Sequence, residues 1–208
     1  MKTKNKTVAI VQARLDSLRL PEKVLKKVNK LTVIEILYKR LKKSKKLDDI
    51  VLAIPNDKAN KKLGIFLRKK KIKVFLGNKE NVLNRYYNAA KKFNANVIVR
   101  ITGDCPLLDS KIVDKAIKIY ESKKCHYVSN TIKPSYPDGL DVEVFSIEVL
   151  KKALKSSTKK EDKEHVTTYI KRSKQFKKIN FKNKFNYSKE NWTLDEQGDF
   201  DFFKKIIE

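Results

Sequence analysis

Glycine is scarce in this chain, five residues in 208. They form neither a GxGxxG nor a GxxxxGKS/T pattern, which excludes the glycine loops that cradle phosphates in dinucleotide-binding and P-loop proteins. Any phosphate would have to be neutralised by side-chain cations and a metal. Cysteine is scarcer still. Cys105 and Cys125 show no CxxC spacing, which argues against a disulfide framework and against a zinc site. No apolar run approaches the roughly 20 residues of a transmembrane helix, and Met1-Lys-Thr-Lys-Asn-Lys lacks the apolar segment of a signal peptide. A cytoplasmic protein with no membrane insertion is expected. Acidic residues are also few, 24 against 50 Lys plus Arg, for a formal charge of +26. Such an excess suggests nucleic acid as a partner. Yet only seven of the 50 are arginine, and the lysines are scattered over most predicted helices. No helix-turn-helix, zinc-finger or RNA-recognition motif is present. The charge reads as a solvated face, and no nucleic-acid partner is expected.

What the chain does have is alternation. With 208 residues, 40% of them hydrophobic, it can bury one substantial core, so a single domain over 1–208 is expected, with 1–6 as a flexible tail. Val8 to Gln12 is a short apolar run with β-branched residues, suited to a strand buried on both faces. Thr32 to Lys46 repeats Val33, Ile34, Leu37 and Leu41 at helical spacing. Ile50–Ile54 reads as a strand, 58–70 as a helix, Ile72–Leu76 as a strand, 80–93 as a helix and Val97–Ile101 as a strand. A helix over 111–121 follows, capped by Asp109 or Ser110. Leu140 to Phe145 alternates like a strand, and 171–190 holds a strand or two. Trp192 to Phe200 reads as a strand, a turn and the start of a last helix, with Asp199 as its N-cap. Strands alternating with helices imply an α/β fold with a mostly parallel central sheet and helices on both faces.

Charge is concentrated at particular points of this pattern. Directly after the first strand come Arg14, Arg19 and Lys23, with Ser17 between them and Pro21 preventing a continuous helix. In open α/β sheets ligands bind at the C-terminal ends of strands, so this loop is placed to hold a polyanion unless it is merely solvated. After the strand 97–101, Thr102-Gly-Asp104-Cys-Pro puts a carboxylate of fixed direction at the same edge. Mg²⁺ prefers such hard oxygen ligands and keeps waters and substrate phosphates around it. Cys105 reads as a small filler. Asp138, Asp141 and Glu143 form an acidic group in a basic chain. A pleated strand would put Asp141 and Glu143 on one face, toward solvent or a polar pocket.

Segments spread from residue 8 to residue 203 carry a resemblance. Gln12-Ala-Arg-x-x-Ser-x-Arg-Leu-Pro-x-Lys23 resembles the nucleotide-binding signature of the cytidylyltransferases that activate acidic sugars, the acylneuraminate and 3-deoxy-octulosonate enzymes and their spore-coat polysaccharide relatives. Where that family usually has Gly before the lysine, this chain has Glu22, so either Glu22 points away from the phosphates or the loop is altered. Gly77-Asn-Lys-Glu-Asn, Arg100-Ile-Thr-Gly-Asp104, Tyr136-Pro-Asp-Gly-Leu-Asp-Val-Glu-Val-Phe145, Glu164-His-Val-Thr167 and Trp192-Thr-Leu-Asp195 through Asp199-Phe200 are similar to further family segments.

The resemblance implies a Rossmann-like nucleotidyltransferase fold and a reaction of CTP with an acidic sugar, giving a CMP-sugar and pyrophosphate for surface polysaccharide. It implies nucleotide contacts from Ala13, Arg14, Ser17, Arg19, Lys23, Gly77, Asn78, Arg85 and Thr102, with Arg14, Lys23 and Asp104 catalytic. It further implies Mg²⁺ on Asp104 and Asp195, and Asp138, Asp141, Glu143 and His165 at the acceptor sugar. Asp138, Asp141 and Glu143 would bind hydroxyls or give a second metal contact. For Gly77, Asn78 and Arg85 an ordinary strand-to-helix turn is the alternative, and for His165 a structural role. A homodimer is common in the family. The competing readings are a sugar-nucleotide-dependent glycosyltransferase of similar fold, disfavoured because Gly103-Asp-Cys supplies one carboxylate where a DxD motif has two, and a basic nucleic-acid-binding protein.

Overall fold

Strand β1 (Thr7–Gln12) lies between two parallel neighbours and is buried along nearly its whole length. The computed structural model describes residues 5–207; of the expected tail, 1–4 lie outside the described residues. Lys6 is no part of a tail. Its amide bonds the Asn96 side chain, its ammonium bonds the Phe93 carbonyl, and its own carbonyl accepts from Asn96 and Val97.

After β1 a 3-10 turn over Lys23–Leu25 leads to a small hairpin, β2 (Lys27–Val28) and β3 (Leu31–Thr32), and then to α1 (Val33–Leu41). Strand β4 (Asp49–Pro55), α2 (Lys61–Lys69), β5 (Lys73–Gly77), α3 (Val82–Lys92), β6 (Val97–Thr102) and α4 (Ser110–Ser122) continue the alternation. The second half contains β7 (Tyr127–Ser129), β8 (Glu143–Ser146), α5 (Ile147–Ser156), α6 (Lys160–His165), α7 (Thr168–Arg172), β9 (Lys178–Asn180) and α8 (Gln197–Ile207). The sheet order is β5-β4-β1-β6-β8-β7-β9, and only β8 runs antiparallel to its neighbours. Among the described residues, no helix is long and apolar enough to cross a membrane.

Both faces of the sheet are covered because successive β1 side chains point to opposite sides. Ala9 and Val11 join Leu37, Leu63 and Val113 in one core cluster, whereas Val8 and Ile10 join Leu83, Tyr86 and Leu150 in the other. This matches the expected mostly parallel sheet with helices on both faces. Element ends differ from the sequence reading. Helix α1 starts where expected, with Thr32 and Glu35 forming a reciprocal capping box, but stops at Leu41 rather than Lys46. The expected strand 140–145 pairs only from Glu143. Leu140 and Val142 are buried without joining the ladder, because Asn130 bonds the Leu140 carbonyl and the Val142 amide instead. No strand forms at Trp192, where Asp138 and Asn191 make an isolated bridge. Asp199 is inside α8 rather than its N-cap; its carboxylate reaches back to the amides of Asp195 and Glu196.

A third, smaller cluster positions the site. Leu20, Val28, Leu107, Leu194, Phe200 and Phe203 pack together, so α8 is docked against the hairpin and against three loops from distant parts of the chain. Each of these loops carries a charged residue a few positions away: Arg19 and Lys23, Asp104, and Asp195.

Candidate active site

At the C-terminal ends of β1 and β6 the structure forms a cleft of about 550 Å³. Gly103 permits the close approach on which it depends. Its amide bonds the Gln12 carbonyl at 2.8 Å, and a Cβ there would sit 2.9 Å from the Ala13 Cβ. Tyr86, buried below, presents its hydroxyl to the carbonyls of Ile10 and Ile101, each 3.1 Å away, and so keys both strands from beneath.

Lys23 is the hub. Its ammonium donates to Asp104 at 2.9 Å and to Asp195 at 2.8 Å, across 81 and 172 residues of sequence. Burial alone would lower the Lys23 ammonium, but the charge of Asp104 and the hydrogen bond of Asp195 outweigh it and hold the group above its usual value. Burial would likewise raise the Asp195 carboxyl. Lys23 and then Arg19 prevail and hold it low, with Arg19 donating to Asp195 at 2.7 Å. Two like charges at about 4 Å repel by about 4 kcal/mol at an effective dielectric near 20. Lys23 cancels much of this repulsion between the carboxylates. Burying the apolar neighbours Leu20, Leu107 and Leu194 contributes about 1.5–3 kcal/mol each and holds the three loops together.

Asp104 and Asp195 therefore each aim an oxygen at one point, now held by an ammonium. Hard oxygen ligands converging at the open edge of a cleft suit Mg²⁺, which commonly takes one or two carboxylates plus phosphates and water. Among the described residues there is no group of three or more His, Cys, Asp or Glu that could hold a metal ion. These two carboxylates would be the protein's share of the coordination.

Of the expected site residues, Ala13, Arg14, Ser17, Arg19, Lys23, Arg85, Thr102, Asp104, His165 and Asp195 all line the cleft. Glu22 points away. It lies in the left-handed region (φ 55°) and pairs with Lys62 of α2 at 2.7 Å, which settles the alternative in favour of an intact loop. Gly77 and Asn78 are not on the cleft wall but stand behind it. The Arg85 guanidinium donates to the Asn78 carbonyl at 2.6 Å, and a Cβ at Gly77 would lie 2.8 Å from the Arg85 Cγ. Gly77 thus makes room for Arg85, and Arg85 holds the loop.

The acidic group does not act as one face. Glu143 is 2% exposed, lies outside the cleft lining and is paired with Arg100 at 3.3 Å and Lys171 at 2.9 Å. Burial would raise its carboxyl, and these two cations hold it low. Both pairs use the same carboxylate oxygen, Oε1, so Glu143 forms a buried ion pair between β6, β8 and α7, while Oε2 has no hydrogen-bond partner among the described residues. Asp141 precedes β8, so the pleat does not align it with Glu143. Burial, then Asp138, then Glu143 push Asp141 up to about 6. Asp138 is exposed. Cys105 is a filler in geometry as well, a buried thiol against the Thr102 hydroxyl whose burial pushes it well above its usual value.

Lys79 and Glu164 line the cleft and were not singled out in the sequence. Lys79 follows β5, and its ammonium bonds Asp16 at 2.6 Å, tying the loop after β5 to the loop after β1. The strand-end rule that located Asp104 would also have found it. Glu164 had no such signal beyond its neighbour His165.

Comparison with known proteins gives a consistent result. The family model described as cytidylyltransferase matches residues 8–206. An uncharacterized protein of Methanocaldococcus jannaschii is 42% identical over 167 residues, covering 79% of this chain and 67% of that one. The spore coat polysaccharide biosynthesis protein SpsF of Bacillus subtilis is 27% identical over 212 residues, covering 98% and 87%. Among solved structures, a cytidylyltransferase from Leptospira borgpetersenii superposes with a TM-score of 0.93 at 30% identity, covering 98% of this chain and 87% of that one.

Proposed function

The chain belongs to the cytidylyltransferase family, and from that premise we propose that it transfers CMP from CTP to a hydroxyl of an acidic sugar. The acceptor oxygen attacks the α-phosphorus in line. The bond from the α-phosphorus to the oxygen bridging to the β-phosphorus breaks, pyrophosphate leaves, and the proton of the acceptor hydroxyl passes to solvent. The observation that carries this reading is the Lys23 hub. One ammonium joins two carboxylates at the mouth of a cleft whose near wall bears Arg14 and Arg19.

Arg14, Arg19 and Lys23 would hold the triphosphate and offset the charge that builds on the departing pyrophosphate. Catalysis is then mainly positioning and electrostatic stabilisation. With nucleotide bound, Lys23 and Arg19 would exchange carboxylate partners for phosphate oxygens, and Asp104 and Asp195 would then be the residues to hold Mg²⁺. The metal, when bound, supplies charge stabilisation at the phosphate oxygens. Thr102 and Ala13 shape the floor, and Arg85 keeps the loop after β5 in place.

The test is pyrophosphate release from CTP and Mg²⁺ with 3-deoxy-manno-octulosonate or N-acetylneuraminate as acceptor. Asp104→Asn should remain folded and lose at least about 10²-fold in turnover, the size seen when one electrostatic stabiliser is removed. Asp195→Asn should lose activity in the same direction. Near-normal turnover in Asp104→Asn would remove that carboxylate from the mechanism.

A further inference from the structure

Among the described residues, five non-glycine residues have positive φ: Glu22, Asn29, Lys71, Asn94 and Val166. The first four are polar or charged and none is buried, as turn residues usually are. Val166 is different. It is β-branched, fully buried, and sits at φ 60°, ψ −53°. The Thr167 amide donates to the His165 carbonyl at 2.5 Å, which closes a three-residue γ-turn of the rare, strained hand. A branched side chain avoids this region unless its surroundings force it there.

Those surroundings are in place. The Val166 side chain packs in the core cluster of Leu83, Tyr86 and Leu150. Thr167 is buried next to it. Asp162, with no exposed surface, is gripped by both terminal nitrogens of Arg172, which clamps α6 to α7. The turn is therefore held from below. Above it, Glu164 and His165 are exposed side chains on the cleft wall.

Strain maintained at this point fixes the backbone from which two side chains reach the cleft. The phosphates of the nucleotide are accounted for by Arg14, Arg19 and Lys23, and a carboxylate at Glu164 would repel them. A carboxylate beside an imidazole is instead suited to the hydroxyls of a sugar, since each can accept or exchange a hydrogen bond there. We propose that the Val166 turn is a positioning device for the acceptor, holding His165 where it hydrogen-bonds a hydroxyl of the sugar being activated, with Glu164 as a second contact. This rests on the cytidylyltransferase reading above. In it, His165 is a specificity-determining contact and Val166 a positioning residue.

The experiment is steady-state kinetics of pyrophosphate release with CTP and whichever of 3-deoxy-manno-octulosonate or N-acetylneuraminate the parent turns over. His165→Ala should raise KM for the acceptor at least tenfold and leave KM for CTP within twofold. His165→Gln, which keeps a hydrogen-bonding N–H, should recover much of that loss. Val166→Gly frees the turn and should raise the acceptor KM; Val166→Ala removes packing but keeps a side chain in the turn, and should raise it less. An unchanged acceptor KM in His165→Ala, or a rise in KM for CTP instead, overturns this assignment alone. A fall in kcat and thermal stability in the Val166 variants with both KM values unchanged assigns the turn a purely structural role and overturns the positioning device. A parent that releases pyrophosphate with neither acid overturns the proposed reaction, and this assignment with it.

Discussion

Glu22 shows how one residue can look wrong in sequence and be harmless in space. A left-handed backbone costs a side-chain-bearing residue about 1–2 kcal/mol, which is why glycine suits this position. The pair with Lys62 is exposed on both sides and offsets at most about 1 kcal/mol of that cost. Glu22→Gly should therefore change thermal stability little, with any shift upward, and leave CTP affinity within twofold of the parent. A nucleotide titration checks it; a severe loss of affinity would mean that the Lys62 pair holds the phosphate loop together. Asp141 makes a pH-dependent contribution of the opposite kind to the paired carboxylates. Burial, Asp138 and Glu143 raise it from 3.8 to about 6 on folding. Its stabilising contribution is full below the unfolded value and lost as pH rises through the folded one. Above pH 6 its charge opposes folding. Asp141→Asn should accordingly raise the melting temperature at pH 7.5, without divalent metal, and raise it much less at pH 4.5. Equal shifts at the two pH values would show that charge is not the cause.

At the scale of elements, the site depends on how closely two strand ends approach. The ends of β1 and β6 are joined at Gly103, where a Cβ would be 2.9 Å from both the Gln12 carbonyl oxygen and the Ala13 Cβ. Overpacking of this kind typically costs about 1–3 kcal/mol. Here the strain would be relieved by moving the loop of Arg14 away from that of Asp104. Gly103→Ala should thus lower kcat at least tenfold while its melting temperature falls only a few degrees. Thermal unfolding beside steady-state kinetics separates the two effects, and full activity in a stable Gly103→Ala variant would show that the spacing is not critical. Helix α8 acts on the same geometry from the other side. Phe200 and Phe203 draw Leu20, Leu107 and Leu194 together, so the charged residues beside them converge.

At the scale of the whole molecule, the +26 charge is spread over the surface, while the cleft mixes Arg14, Arg19, Lys23 and Lys79 with Asp104, Glu164 and Asp195. A diffuse lysine coat attracts any polyanion through counterion release, without base readout. Binding to random duplex DNA should be weak at physiological salt, with a dissociation constant of about 10⁻⁴–10⁻⁶ M and a steep salt dependence. Tight, sequence-selective binding that survives high salt would give the charge a second role.

The alternation of short apolar strands with amphipathic helices was enough to establish the parallel sheet, because side-chain period and burial are local properties of the chain. Arg14, Lys23 and Asp104 were legible for the same reason, each following a buried strand at the edge where α/β sheets bind ligands. Resemblance, rather than pattern, singled out Asp195. What only the tertiary structure decided is long-range. No periodicity shows that Lys23 bridges carboxylates 81 and 172 residues away, or that Glu22 turns to Lys62. Nor could it show that Glu143 is paired with Arg100 and Lys171, since that depends on β8 lying antiparallel beside β6. The strained turn at Val166 is the clearest case: local preference opposes it, and only the packed core beneath it and the Asp162–Arg172 clamp impose it.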